Sequence, residues 1–326
     1  MRAFHCVKYG EPRDLVLVDI AEPVASPGEV VIKVEAAGLG FVDALHVRGG
    51  YQVKKPLPFI PGSEIAGTVI AAGDAAGQHL VGKRVVALSH QGGGLAERAV
   101  VSAHACTVLP DAFTSAAAAS SLVNYATGIY GLENCGVVQV GETVLILGAS
   151  GGVGMAALDI AKGIGAKVIA AASSNDKLAA CKAAGADYVI NYTNENWRKE
   201  LETQLDGQPI NLIYDPAGGQ WSETAFRCLA PGGRHLVVGF AGGDIPRIPL
   251  NLPLLKRASI VGVDWGGYVR ADPKAQGPLI QRLLDLVQAG KINPQPGATF
   301  KFEDAPAVLE SLVNRTSIGK PVILIG

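Results

Sequence analysis

The chain has 326 residues, of which 48% are hydrophobic and 17% charged, and its formal net charge is −1. That length suits one large or two ordinary domains with a sizeable core, and the near-neutral balance offers no basic surface for nucleic acid or for an anionic membrane. No apolar run is long enough to cross a bilayer, and the opening MRAFHCVKYGEP has neither an apolar h-region nor a small-residue cleavage site, so a cytoplasmic protein is expected.

From Arg2 to about Val108, short strand-like runs alternate with turn signals. EVVIKVEAAG, EIAGTVIAAG, KRVVALS and AERAVVSA are the runs; PLPFIPGSE and HQGGG separate them. Such spacing predicts a β-rich, barrel-like domain. From Thr114 the pattern changes. SAAAASSLVNYATGIYGLENCG reads as a helix ended by Gly136, and strands and helices then alternate: TVLILG, GVGMAALDIAKGIG, KVIAAAS, NDKLAACKAAG with Asn175 as its cap, DYVI, ENWRKELETQL, INLIYD, QWSETAFRCLA stopped by Pro231-Gly232-Gly233, RHLVVGF and SIVGVDW. Alternation on this scale implies a parallel, doubly wound sheet, and near-continuous apolar strands fit burial on both faces. The tail offers a helix over PKAQGPLIQRLLDLVQAG, a short one around APAVLESLVN and a last strand, KPVILIG, which returns most simply to the first domain. The five cysteines (Cys6, Cys106, Cys135, Cys181, Cys228) are scattered and contain no C-x-x-C, so neither a disulfide framework nor a four-cysteine zinc knot is expected. Cys181 and Cys228 fall in helical segments as small core residues.

One bend carries a chemical signal. In VLILGASGGVGMAALDIAKGIG, the glycines Gly148, Gly151, Gly152 and Gly154 lie between a strand and a helix that open a run of βα units. A glycine-rich turn before a helix N-terminus lets backbone N–H groups approach a pyrophosphate closely. The spacing is one residue longer than G-x-G-x-x-G, which a wider turn accommodates. At the end of the second strand an NAD site places an acid for the ribose 2′-hydroxyl. Here stand Ala172, Ser173, Ser174 and Asn175, with Lys177 just beyond; Asp176 reads as helix N-terminal decoration. Hydroxyls and a cation suit the 2′-phosphate of NADPH. The alternative is that the serines only cap a helix and Lys177 is solvated.

These residues carry a resemblance over nearly the whole chain. GFVDALHVRGGY, PFIPGSEIAGTV, GGLAERAVV, NYATGIYGL, LILGASGGVG, KLAACKAAGADYVINY, YDPAGG, LAPGGRHLVVGFAGG and IPRIPLNLPLLKRASIVGVDWG resemble the zinc-independent NADPH:quinone oxidoreductases, zeta-crystallin relatives in the medium-chain dehydrogenase/reductase superfamily. The resemblance implies an α/β fold: a GroES-like catalytic domain (1–123 and 265–326) interrupted by a Rossmann domain (124–264). It implies NADPH held by Thr127, Ser150, Gly151, Gly152, Val153, Ser173, Ser174, Lys177, Tyr192, Gly239, Phe240 and Arg315. It also implies a substrate pocket at Gly40, Asp43 and Trp265, Tyr51 as candidate proton donor, and a homodimer. Two departures fall on the substrate side: the family often has Asn where Gly40 stands, and Arg48 lies five residues beyond Asp43 rather than four.

Zinc-dependent cousins carry Cys at the position of Gly40 and His at that of Ser63, and neither residue here is a zinc ligand. His46 is a lone histidine, read as structural or pocket-lining, and Glu64 as a buried, hydrogen-bonded carboxylate. Without a Lewis acid, alcohol dehydrogenation is disfavoured and hydride delivery to an electrophilic quinone or enone is expected. A catalytically idle NADPH-binding protein and an enoyl-thioester reductase are the competing readings.

Overall fold

The computed structural model describes residues 1–111 and 113–326. The chain divides into two compact units, 1–123 with 294–326, and 124–293.

In the first unit, β1 (Arg2–His5) pairs antiparallel with β2 (Val16–Asp19). β3 (Glu29–Gly38) then leads into a helix, α1 (Phe41–Arg48), followed by β4 (Glu64–Ala72), β5 (Arg84–Leu88), β6 (Arg98–Ser102), β7 (Cys106–Val108) and α2 (Ser115–Ile129), which crosses into the second unit. The four expected strand runs become β3, β4, β5 and β6. β3 is central: it pairs antiparallel with β4 and with β6, and its side chains are buried on both faces of much of its length, which is why it reads as a continuous apolar run rather than an alternating one. The segment GFVDALHVRGGY carries no strong helical stripe, yet it folds as α1. The Asp43 carboxylate accepts the Gly40 N–H at 2.8 Å and satisfies one of the donors that a helix start leaves free.

The second unit contains β8 (Thr143–Leu147), α3 (Gly152–Ile164), β9 (Lys167–Ala172), α4 (Asn175–Ala183), β10 (Tyr188–Asn191), α5 (Trp197–Leu205), β11 (Ile210–Asp215), α6 (Trp221–Cys228), β12 (Leu229–Val237), α7 (Asn251–Lys256), β13 (Ser259–Gly262), α8 (Trp265–Ala271) and α9 (Gln276–Gln288). Among the described residues, the strands form one parallel sheet in the order β10-β9-β8-β11-β12-β13. The chain thus starts mid-sheet, builds outward one way, and returns to build the other way, the doubly wound order. Three local differences from expectation appear. Ser174, not Asn175, caps α4. Pro231-Gly232-Gly233 lies within the span of β12, where the register against β11 slips between Leu229 and Arg234, instead of ending a helix. Past Ile129 the helix continues as a π-helical turn, Tyr130–Cys135, before Gly136. Of the two helical cysteines, Cys181 is buried as expected and Cys228 only half-buried.

The chain re-enters the first unit at 294 rather than 265. The intervening helices are tied into the second unit: Tyr268 stacks on Tyr130 at 4.6 Å, Arg282 pairs with Glu133 at 2.8 Å, and the Asn293 N–H donates to Asp159 at 2.9 Å. The sequence reading missed this because the partners lie far upstream. β14 (Thr299–Lys301), α10 (Ala305–Val313) and β15 (Val322–Leu324) complete the first unit, β15 adding antiparallel to β3.

Candidate active site

The carboxyl ends of β8, β9, β11 and β12 bring together most of the predicted cofactor residues. After β8, Gly148 takes a φ of +62°, and the Gly151 N–H closes a turn onto the Gly148 carbonyl at 3.1 Å. The extra residue of the fingerprint is absorbed there. Gly154 is required by packing, since a Cβ would sit 2.4 Å from the Gly148 oxygen. Gly151 is different: it is extended (φ −77°), and a Cβ would meet only the Gly148 oxygen at 3.5 Å. Gly151 caps α3 with no side chain to occupy its N-terminus, so the amides of Gly152, Val153 and Gly154 remain for an anion. Ser150 is buried in the turn. Polar groups face a cradle that a side chain at 151 would fill, which fits a dinucleotide pyrophosphate.

At the end of β9, Lys177 reaches back from the first turn of α4 to Ser173 Oγ at 3.3 Å. Tyr192 follows β10, donates its N–H to the Ala172 carbonyl, and rests its ring on Trp221 at 4.4 Å. Two hydroxyls, a cation and an aromatic wall therefore gather where an NAD site keeps an acid. Asp176 is exposed. Trp221 was not singled out from sequence; an aromatic at a helix start carries no distinguishing signal.

The turn after β11 is held by Asp215. Its buried carboxylate accepts from the Ala217 and Gly218 amides at 3.0 and 2.7 Å and from Ser222 Oγ at 2.6 Å, and it lies 3.0 Å from His235 Nε2. This Ser-Asp-His grouping is not a nucleophilic triad. Serine bonds the carboxylate rather than the imidazole, and both Ser222 and His235 are wholly buried. Its effect is to shape the turn against which Gly239 and the half-exposed Phe240 are set, the Gly239 N–H donating to the Asp215 carbonyl. Thr127 is buried on α2. Trp265 opens α8 in this unit, buried, with no partner on Nε1. Arg315 belongs to the first unit, where it follows α10 at φ +57°.

In the first unit, the predicted substrate residues cluster around Asp43. One carboxylate oxygen accepts from Gly40 and the other from Ser63 Oγ at 2.9 Å. The two positions that bear zinc ligands in the zinc-dependent cousins are thus joined here through a carboxylate. His46 tilts against the Tyr51 ring at 4.6 Å and 58°, with its buried Nδ1 unpartnered. Burial and the Lys55 cation push the His46 imidazole pKa down, leaving it neutral at pH 7. Glu64 is buried; it pairs with Lys320 and accepts the Val123 N–H at 2.9 Å. Lys55 and Lys320 had no place in the sequence reading. Lys320 meets Glu64 across 256 residues, a separation no local pattern encodes. Among the described residues, no group of three or more His, Cys, Asp or Glu could hold a metal ion. No helix among the described residues is long and apolar enough to cross a membrane.

Comparison with known proteins adds independent findings. Residues 26–111 match the model of the alcohol dehydrogenase GroES-like domain, and residues 152–282 that of the zinc-binding dehydrogenase. A quinone oxidoreductase-like protein 2 homolog of Nematostella vectensis is 35% identical over 99% of this chain and 88% of its own length. A mycobacterial structure in complex with NADPH superposes with a TM-score of 0.89 at 30% identity, covering 99% of each chain. The CurK enoyl reductase superposes with a TM-score of 0.87 at 25% identity, over 100% of this chain and 99% of its own.

Proposed function

The chain belongs to the medium-chain dehydrogenase/reductase superfamily, an oxidoreductase family, among its quinone oxidoreductase-like members, and on that premise we propose that it reduces quinones or related electrophilic enones with NADPH and without a metal. The observation that carries this reading is the free α3 N-terminus beside a β9 end furnished with Ser173, Ser174 and Lys177 in place of an acid. When bound, NADPH supplies a hydride from its nicotinamide. The amides of Gly152, Val153 and Gly154 and buried Ser150 hold the pyrophosphate. Ser173, Ser174, Lys177 and Tyr192 hold the 2′-phosphate, and Thr127, Gly239 and Phe240 border the nicotinamide. On the acceptor side Asp43 fixes Gly40 and Ser63, and Tyr51, seated on His46, borders the acceptor. A carboxylate repels a developing oxyanion, so Asp43 positions rather than protonates.

In steady-state assays NADPH is expected to be oxidised by quinones and enones faster than by an enoyl thioester, and NADPH is expected to bind more tightly than NADH. Lys177→Ala should remove about 1.5–3 kcal/mol of NADPH affinity, the value of a charge-assisted contact, and leave NADH unchanged. Equal affinities of the wild type for the two cofactors would refute the 2′-phosphate site. Tight NADPH binding with no turnover on any acceptor would instead mark an idle binding protein, and preference for the thioester would favour the enoyl-reductase reading.

We further propose a homodimer. Among the described residues, β13 and β10 are the two edge strands of the parallel sheet, and close to β13 in sequence Leu250, Leu254 and Leu255 are each more than 70% exposed. An unprotected edge next to exposed leucines favours pairing with a second copy. Light scattering should give the mass of two chains, falling to one for Leu254→Glu; a wild type that stays monomeric at assay concentrations removes the dimer.

A further inference from the structure

Two tryptophans of the second unit pack into the same apolar cluster in different ways. Trp197 opens α5 and is 4% exposed, as a core residue is. Trp221 opens α6, just after the turn that follows β11, and is only half-buried. Its indole carries the Tyr192 ring, with centroids 4.4 Å apart and planes at 37°. The edge of its six-membered ring faces two glycines: a Cβ on Gly242 would stand 3.0 Å from Trp221 Cζ3, and one on Gly219 would stand 3.7 Å from the same atom. Those glycines belong to turns that are fastened together. The Gly242 N–H donates to the Ala217 carbonyl at 2.6 Å, and the Gly219 N–H to the Asp244 carbonyl at 2.9 Å. The indole is thus held by backbone at its six-membered ring, and itself holds the Tyr192 ring.

Tyr192 stands at the proposed 2′-phosphate corner. Its N–H donates to the Ala172 carbonyl at 3.2 Å, one residue before Ser173, and Ser173 Oγ accepts from the Lys177 ammonium at 3.3 Å. Tyr192 is 8% exposed, so the direction of its ring is set by what it packs on and not by solvent. We propose that Trp221 is a specificity-determining residue for the cofactor: its indole fixes the Tyr192 ring so that the corner beside Ser173 and Lys177 accepts a phosphate. The assignment rests on the NADPH-dependent reading above. Trp221 acts through Tyr192 and is a positioning residue.

The ligand class follows from the corner and not from the redox chemistry: an adenosine that carries a phosphate on its 2′-oxygen. Ser173, Lys177, Tyr192, Trp221 and the two glycines all lie in the second unit. A leucine at 221 takes away the flat partner of the Tyr192 ring and vacates space into which that ring can turn, whereas a phenylalanine keeps an aromatic face there. A contact between two aromatic rings is worth up to about tenfold in an equilibrium constant, which sets the size of the effect.

The test measures dissociation constants for adenosine 2′,5′-bisphosphate and for 5′-AMP, which differ only in the 2′-phosphate. They are compared in the wild type, Trp221→Leu, Trp221→Phe and the core control Trp197→Phe. The 5′-AMP constant divided by the bisphosphate constant reports the 2′-phosphate contact and is insensitive to a general loosening of the unit. Trp221→Leu should lower this ratio about 5–10-fold with 5′-AMP affinity unchanged. Trp221→Phe and Trp197→Phe should keep the wild-type ratio. A second arm serves if Trp221→Leu fails to fold. The emission that the wild type has and Trp221→Phe lacks belongs to Trp221, and it should change with saturating bisphosphate and not with saturating 5′-AMP. An unchanged ratio in Trp221→Leu overturns the assignment, and so does Trp221 emission indifferent to the bisphosphate. An equal loss of both ligands overturns it too, because Trp221 would then only pack the unit. A wild-type ratio near one overturns the 2′-phosphate site itself, and is told apart because it appears before any variant is made.

Discussion

Gly151→Val is expected to abolish measurable NADPH binding while leaving the parallel sheet folded. The first half follows from the turn. A branched side chain at 151 would stand over the amides at the start of α3, where the pyrophosphate has to approach. Losing two charge-assisted hydrogen bonds at about 1.5–3 kcal/mol each weakens binding by about 10²–10⁴-fold. The second half follows from the backbone. Gly151 is extended, a conformation β-branched residues favour, and its Cβ would meet only an ordinary contact at 3.5 Å. Gly154→Val is the contrasting variant: its Cβ would collide with the Gly148 carbonyl and with Ala149, so the turn itself has to move. Titration of NADPH fluorescence, with circular dichroism on both variants, separates the two effects. Normal NADPH affinity in Gly151→Val would mean that the glycine turn only turns the chain.

What could be read from the sequence was whatever repeats locally. Strands such as TVLILG and KVIAAAS are buried on both faces, so each appears as an unbroken apolar run, and the runs fall in the order the sheet requires. The glycine turn was legible because its backbone demands are met by one residue type. Ser173 and Lys177 were legible together because they are separated by one helical turn. What could not be read depends on contacts distant in sequence or on burial without a pattern. α1 starts on the Asp43 carboxylate, an interaction that looks the same in a loop. The re-entry at 294 is set by Tyr268, Arg282 and Asn293 finding partners far upstream. Asp215 and His235 lie on neighbouring strands and look like ordinary polar punctuation in the chain. Lys55 stands before a proline in what reads as a solvated loop, and only the folded unit shows that it is enclosed.

The Lys320–Glu64 pair yields the second large effect, on stability rather than binding. Both side chains are about 95% buried, and their contact ties β15's approach to the start of β4. Lys320→Met keeps most of the aliphatic volume but leaves a buried carboxylate that accepts the Val123 N–H and has lost its cation. Removing one partner of a buried pair costs about 3–5 kcal/mol, whereas replacing both with uncharged groups is often neutral. Lys320→Met should therefore destabilise the first unit strongly, and Glu64→Gln/Lys320→Met should recover much of the loss. The pH dependence of the single variant has a definite sign. Burial, and after it the Asp43 charge, push the Glu64 carboxyl above its ordinary value of 4.5, and Lys320, which pulls it back, is gone. The folded state then holds a proton that the unfolded state releases above that value. Stability relative to wild type should be best preserved below about pH 4.5 and should decline as pH rises toward the elevated folded-state pKa. All three tryptophans, Trp197, Trp221 and Trp265, lie in the second unit, so none reports from within the first. Amide hydrogen exchange in β3 and β4, measured near pH 5 and near pH 8, reads it directly. Protection in Lys320→Met equal to wild type at both pH values would show that the pair contributes nothing to the first unit. A larger loss at pH 5 than at pH 8 would show that Glu64 stays ionised in the folded variant and that burial does not control its proton.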